Sequence, residues 1–216
     1  MGDIFREIDE ELRQDRNEKL WKTYGKYVIG GVVAFIVVFG AFRGWEQYRT
    51  TQRQNDSARF QAGATFEAAG KKTEAAAVFA ALADTGTDGY RTLARFRQAA
   101  LRAKGGDGAG AISVYDLLAA DDGLSTALRE AAVVFAVMQG IDLPGADAAA
   151  LDSRLAPLIR DDGPWRHSAR ELAGLLALNR SDVTAARKSF AALVDDVSAP
   201  AGMRARATQV LAVIGG

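Results

Sequence analysis

The pattern of apolar and polar positions changes character twice along the chain, near Lys26 and again near Asn55. Before Lys26, apolar residues recur every four positions at Ile4, Ile8 and Leu12, with Phe5 beside the first, while Asp9, Glu10, Glu11, Arg13, Asp15 and Arg16 occupy the remainder. That spacing predicts an amphipathic segment over 1–26. A solvated charged stretch that orders only beside a bilayer has the same composition.

Between Lys26 and Arg43 lie the sixteen residues Tyr27–Phe42, without a charge. At about 1.5 Å of rise per residue they cover roughly 24 Å, a little short of a hydrocarbon layer about 30 Å thick. The flanks supply the difference: Tyr24, Trp45 and Tyr48 can lie at the headgroup level, and Lys26 and Arg43 can extend their charges outward along their alkyl stems, so that Tyr24, Lys26, Tyr27, Phe42, Arg43 and Trp45 are the candidate membrane-anchor residues. The stretch 27–48 therefore reads as one transmembrane helix. A cleaved signal peptide would place its apolar run near the start and end it at small residues, whereas here 26 charge-rich residues precede it and FGAFRGW offers no small-x-small site. A buried soluble helix competes on length, but an all-round apolar stretch lacks the polar face of the helices that follow. Gly40 and Gly44 have the small-xxx-small spacing of close helix pairs, a weak signal because glycine is common in membrane helices. For orientation, Arg13, Arg16, Lys19, Lys22 and Lys26 stand against Arg43, Arg49, Arg53 and Arg59, and a short N-terminal segment in the cytoplasm is the better expectation.

From Asn55 onward the pattern becomes repetitive, and 55–216 reads as one helical-repeat domain. Gly63 and Phe66, then Ala75, Phe79 and Leu82, fit a two-helix unit with Gly70 near the bend. A second unit carries Ala99, a Gly106-Asp107 turn, then Ala111, Tyr115 and Leu118. Ala75 and Ala111 are 36 residues apart, close to the roughly 34 of a tetratricopeptide repeat. The third unit is degenerate: Val133, Val134, Val137 and Met138 mark its first helix, but the expected partner over 146–159 carries Leu151, Leu155 and Leu158 out of register. A fourth recovers the pattern with Gly174, Leu178, Ser181-Asp182, Ala186, Phe190 and Leu193, and Ala201–Ile214 is expected to cover the open end of the stack. An alanine-rich helical bundle is the competing architecture.

Composition narrows the function. The 216 residues carry zero net charge, no cysteine and four prolines, which points to an all-α chain without disulfides, thiol chemistry or a basic nucleic-acid surface. His167, the only histidine, follows Pro164 and Trp165 and is expected in the first turn of a helix as a packing or surface residue. Asp121-Asp122, Asp161-Asp162 and Asp195-Asp196 lack the further ligands of a calcium loop and read as solvated turns. The run Gly105–Gly110 has no following Lys-Ser or Lys-Thr, so it is a loose turn and not a phosphate loop. No catalytic, cofactor or metal residue is assigned. An enzyme is the least favoured class.

The first 50 residues carry a resemblance. Asp9-Glu10-Glu11-Leu12, Leu20-Trp21 and Tyr24-Gly25 immediately before the apolar run, followed by GWEQY, resemble the N-terminus of the bacterial tetratricopeptide-like family of ancillary SecYEG translocon subunits, the YfgM type. The rest of the chain is similar in architecture only. The resemblance implies a single-pass protein of the bacterial inner membrane, with a short cytoplasmic N-terminus and a periplasmic helical-repeat solenoid. It implies as partners Sec translocon subunits, periplasmic chaperones or secreted chains. The favoured expectation is a membrane-anchored protein-binding scaffold, with Arg91, Arg95 and Arg102 as candidate partner-binding residues because Arg95 and Arg102 are seven apart on one helix face. The alternative is a structural adaptor of another envelope or cell-division assembly. Homo-oligomerisation is left open.

Overall fold

The computed structural model describes residues 3–215, and side chains from Trp21 onward except Thr23 and Val28. The described chain is all-α, with no strand: α1 (Asp3–Ala68), α2 (Lys72–Thr85), α3 (Asp88–Lys104), α4 (Gly108–Ala119), α5 (Thr126–Ile141), α6 (Ala148–Leu155) followed by a 3₁₀ turn (Ala156–Leu158), α7 (Arg166–Asn179), α8 (Val183–Asp195) and α9 (Ala201–Ile214). It divides into two compact units, residues 1–55 and 56–216.

In the first unit, α1 contains a stretch long and apolar enough to cross a membrane. Every described large apolar side chain from Tyr27 to Phe42 is more than half exposed, so no core among the described residues covers it. A buried helix is thereby set aside as the explanation of the stretch. At one end Lys26 lies over the Tyr27 ring at 5.1 Å; at the other, Arg43 lies 5.8 Å from the Phe39 ring and pairs with Glu46 at 3.3 Å. Trp45 and Tyr48 contact each other at 6.2 Å. Tyr24 and Phe42 are exposed. The apolar stripe of Ile4, Phe5, Ile8 and Leu12 lies outside the described side chains.

The second unit is a stack of helix pairs: residues 56–68 of α1 with α2, then α3 with α4, α5 with α6, α7 with α8, and α9 last. Equivalent residues sit at constant offsets. Ala75, Phe79 and Leu82 on α2 correspond to Ala111, Tyr115 and Leu118 on α4, 36 residues later, and to Ala186, Phe190 and Leu193 on α8, a further 75 later; all nine are buried. Sixteen residues before each aromatic stands a small residue, Gly63, Ala99 or Gly174. A Cβ added at Gly63 would fall 2.8 Å from the Phe79 ring, and one at Gly174 would fall 2.8 Å from the Phe190 ring. The small residue is what lets the second helix lie against the first with a full aromatic ring between them.

The turns obey the same offsets. Gly70 (φ 74°), Gly106 (φ 89°) and Ser181 (φ 60°) all adopt the left-handed conformation that ends the first helix of a pair. Asp107 and Asp182 follow two of them, and their carboxylates accept from Gly110 N and Ala185 N to cap α4 and α8. The third pair departs from the pattern. Asp147 caps α6, but the helix expected over 146–159 ends at Leu155 and finishes as a 3₁₀ turn. Pro157 is the physical reason: it has no N–H to offer Ser153 O and so cannot continue an α-helical ladder. Leu155 and Leu158 are still buried.

Four small cores result, each completed by the next pair. The first joins Ala75, Phe79, Leu82 and Ala83 to Ala94 and Leu101 of α3. The second joins Ala99, Ala111, Tyr115 and Leu118 to Ala132 and Ala136 of α5. The third draws in Ala169, Leu172, Ala173 and Leu176 of α7, and the fourth Ala207 of α9. No pair buries its apolar face alone, and α9 occupies the end position expected of it.

Candidate functional site

The first helices of successive pairs lie side by side. Asp56 Oδ2 accepts from Thr87 N at 2.7 Å, the Phe60 ring lies 6.1 Å from Tyr90, and Glu67 meets Arg97 and Lys104 of α3, which fixes residues 56–68 of α1 parallel to α3. The neighbouring contact of α3 with α5 is the edge-to-face pair Phe96 and Phe135 at 6.0 Å. Between these three helices opens a groove of about 680 Å³. Phe60, Leu93, Phe96, Ala100, Phe135 and Met138 give it an apolar lining, and Tyr115 reaches it from α4. The volume is that of an ordinary ligand cleft.

Its lining is stiff at the base and open at the top. Tyr115 contacts Phe96 at 6.0 Å and Phe135 at 5.6 Å, and Phe135 contacts Trp165 at 6.1 Å, whose Nε1 donates to Ala127 O at 2.8 Å. Rings stacked in this way hold one another in place. Burial pushes the Tyr115 phenol above its ordinary value, so it stays protonated. Leu93 and Met138, by contrast, are 47% and 42% exposed. Two large apolar side chains left in water at the mouth of an apolar cleft are what a docking surface requires.

The charge of the groove is one-sided. Arg97 and Lys104 are its only charged lining residues among those described. They share one carboxylate, Glu67, at 3.8 Å and 2.5 Å.

The arginines singled out from the sequence lie elsewhere on α3. Arg91 donates to Gly86 O at 3.1 Å and pairs with Asp88 at 3.3 Å; Arg95 pairs with Asp121 at 3.8 Å; Arg102 pairs with Asp107 at 3.6 Å. Arg102 also borders a second, shallower groove against Ala76, Ala77 and Ala80 of α2. Arg97 and Lys104 are seven apart just as Arg95 and Arg102 are, but a shift of two residues is about 200° of helix rotation, nearly the opposite face. Phe60, Phe96 and Phe135 of the groove are not among the residues the sequence singles out. A signal for two of them existed, since Phe60 and Phe96 differ by the same 36 residues as the repeat positions.

The histidine sits in a cluster around Asp196. His167 Nε2 lies 2.9 Å from Asp196 Oδ2, Arg170 Nη1 lies 3.3 Å from the same oxygen, and Ser198 donates its hydroxyl to Oδ1 at 2.5 Å and its N–H at 2.9 Å. These bonds, from Ser198 first and His167 next, hold the Asp196 carboxyl well below the usual carboxylate range. Asp196 is thus an anchored, partly buried residue and not the solvated turn carboxylate expected. Ser198 Oγ approaches His167 on the nitrogen that already faces Asp196, at 3.4 Å, so the three do not form a proton relay, which needs the two partners on opposite ring nitrogens. His167 does fall in the first turn of α7, while Trp165 is the residue before it. Asp121 caps its own turn at Gly123 N, and Asp122 pairs with Arg129 at 2.7 Å. Among the described residues no three metal-ligating side chains converge.

Neither the curated proteins nor the solved structures yield a match to the chain. A family model for a tetratricopeptide repeat-like domain matches residues 18–210, which takes in part of α1 and runs into α9. With the repeated small-aromatic pairs, the left-handed turns at matching offsets and this match together, the chain belongs to the family of the tetratricopeptide repeat-like domain.

Proposed function

We propose that the protein is a membrane-anchored scaffold that holds polypeptide in the groove between α1, α3 and α5, and that it serves protein translocation or chaperone handover at the Sec translocon. The observation that carries the binding role is the groove itself, an open apolar cleft lined by the first helices of successive repeats, with Leu93 and Met138 exposed at its mouth. Repeat stacks of this family are protein-interaction modules. The candidate membrane span supports the anchor, since tethering raises the local concentration of a scaffold near membrane partners and lets modest contacts matter. The N-terminal resemblance supports the translocon, with the repeat domain in the periplasm of a bacterial inner membrane and the N-terminus in the cytoplasm. Arg91, Arg95 and Arg102 are a second set of partner contacts outside the groove.

Photo-crosslinkers at Leu93 and Met138, with Arg95 and Arg102 in parallel, tested in intact membranes with mass spectrometry of the products, decide the matter. Capture of translocon subunits, periplasmic chaperones or secreted chains from the groove positions is the expected result. Capture of a different envelope or cell-division assembly from every position refutes the translocon role and makes the protein a structural adaptor. Products from Arg95 and Arg102 alone refute the groove.

A further inference from the structure

The groove has a chemical preference that its apolar lining does not by itself dictate. Arg97 and Lys104 are exposed over 49% and 60% of their side chains, whereas the Glu67 they share is 15% exposed. Two cations on one carboxylate leave a surplus positive charge in an otherwise uncharged cleft, and Lys104 stands at the C-terminal end of its α3 lining. Phe96 and Lys104 are eight residues apart on α3, or about 12 Å along its axis. From this charge complementarity, and resting on the polypeptide-binding reading above, we infer that the groove selects acidic apolar segments: chains with large apolar side chains followed, about 12 Å on, by a carboxylate.

The physical basis is a division of labour along the cleft. Leu93, Phe96, Phe135 and Met138 receive apolar side chains and supply affinity through buried area. Lys104 and Arg97 already have the geometry of donors to a carboxylate, and a second carboxylate brought to them completes the charge balance that Glu67 leaves open. A basic residue at the same place meets that surplus positive charge, which disfavours the wrong partner. A ligand chain covers 12 Å in about eight residues as a helix or about four when extended.

The test uses the full chain in phosphatidylcholine nanodiscs and fluorescein-labelled peptides bearing two leucines and a phenylalanine, followed by glutamate either four or eight residues on. Matched peptides carry lysine in place of the glutamate. Fluorescence anisotropy is expected to show the glutamate peptide of at least one spacing binding about tenfold more tightly than its lysine twin at low salt, with the gap closing as salt rises. Arg97→Gln with Lys104→Gln should abolish the preference, and Lys104→Glu should reverse it. Both positions are exposed, and unchanged circular dichroism will show that the variants fold. Equal binding of glutamate and lysine peptides at both spacings, with binding lost in Leu93→Asp/Met138→Asp, overturns the acidic preference and leaves the groove standing. Binding that survives Leu93→Asp/Met138→Asp, or no binding of any peptide, overturns the groove and this inference together.

Discussion

Gly174 and Phe190 offer the sharpest test of how the repeats pack, because one substitution there changes sign with its neighbour. A Cβ at position 174 would lie 2.8 Å from both Cε2 and Cζ of Phe190, well inside the roughly 3.5–4 Å of favourable carbon contacts. The ring is 1% exposed, so it has nowhere to swing. Overpacking of this kind costs about 1–3 kcal/mol, and replacing a mid-helix glycine by alanine returns about 1 kcal/mol. Gly174→Ala should therefore destabilise by about 1 kcal/mol, a fall of about 3 °C in Tm for a chain of this size. Phe190→Leu removes the two clashing ring atoms. In that background Gly174→Ala should stabilise by up to about 1 kcal/mol, a coupling of about 2 kcal/mol between the two sites. Gly89, which has open space where its Cβ would be, is the control, and Gly89→Ala should stabilise in both backgrounds. Urea unfolding of the four chains in detergent, followed by far-UV circular dichroism, completes the cycle. A coupling below about 0.3 kcal/mol would refute the close-approach account of the small residue.

Three further outcomes follow from the same structure. Ser181→Gly relieves a left-handed serine and should stabilise by about 0.5 kcal/mol, while Gly70→Ala at the equivalent turn should cost about 1 kcal/mol; thermal melts that rank them the other way contradict the shared turn geometry. Phe79→Ala empties the centre of the first core and should cost about 3–5 kcal/mol by urea titration, with a loss under about 1 kcal/mol showing that the ring is not enclosed. The carboxyl of Asp196 titrates below its unfolded value of about 3.9, so its stabilisation is complete above that pH and is lost as pH falls below it. Asp196→Asn should accordingly melt lower than the parent at pH 7, with the gap unchanged down to about pH 4 and narrowing as pH falls further; a gap that stays constant below about pH 4 would show that Asp196 contributes nothing through its charge.

Much of the fold is legible in the sequence because the determinants are local and repeated. Gly63, Ala99 and Gly174 pair with Phe79, Tyr115 and Phe190 at one fixed separation, so a reader who finds one pair can find the others. The third repeat resists for an equally local reason, since Pro157 shortens its second helix and forces a turn that no periodicity announces. The groove is harder to see. It depends on which face of α3 looks toward α1 and α5, and a heptad of arginines two residues out of phase satisfies the same sequence rule as Arg97 and Lys104. Helix rotation is set by the packing of Ala94, Ala99 and Leu101 against other helices, a nonlocal fact. Asp196 is opaque in the sequence for the same reason, because its partners His167 and Arg170 arrive from 29 and 26 residues away.

The four small cores have a mechanical consequence. A single large core resists deformation as a block, but separate cores joined end to end act like springs in series, whose compliances add. A slight rotation at each joint between helix pairs, too small to break any one core, sums into a substantial change of curvature. The cleft between α1, α3 and α5 spans two of these joints, so its mouth, where Leu93 and Met138 stand, can follow the bulk of what it holds while the rings of Phe96, Tyr115 and Phe135 at its base stay packed. Selectivity in such a cleft then rests on chemistry at fixed points more than on a rigid outline.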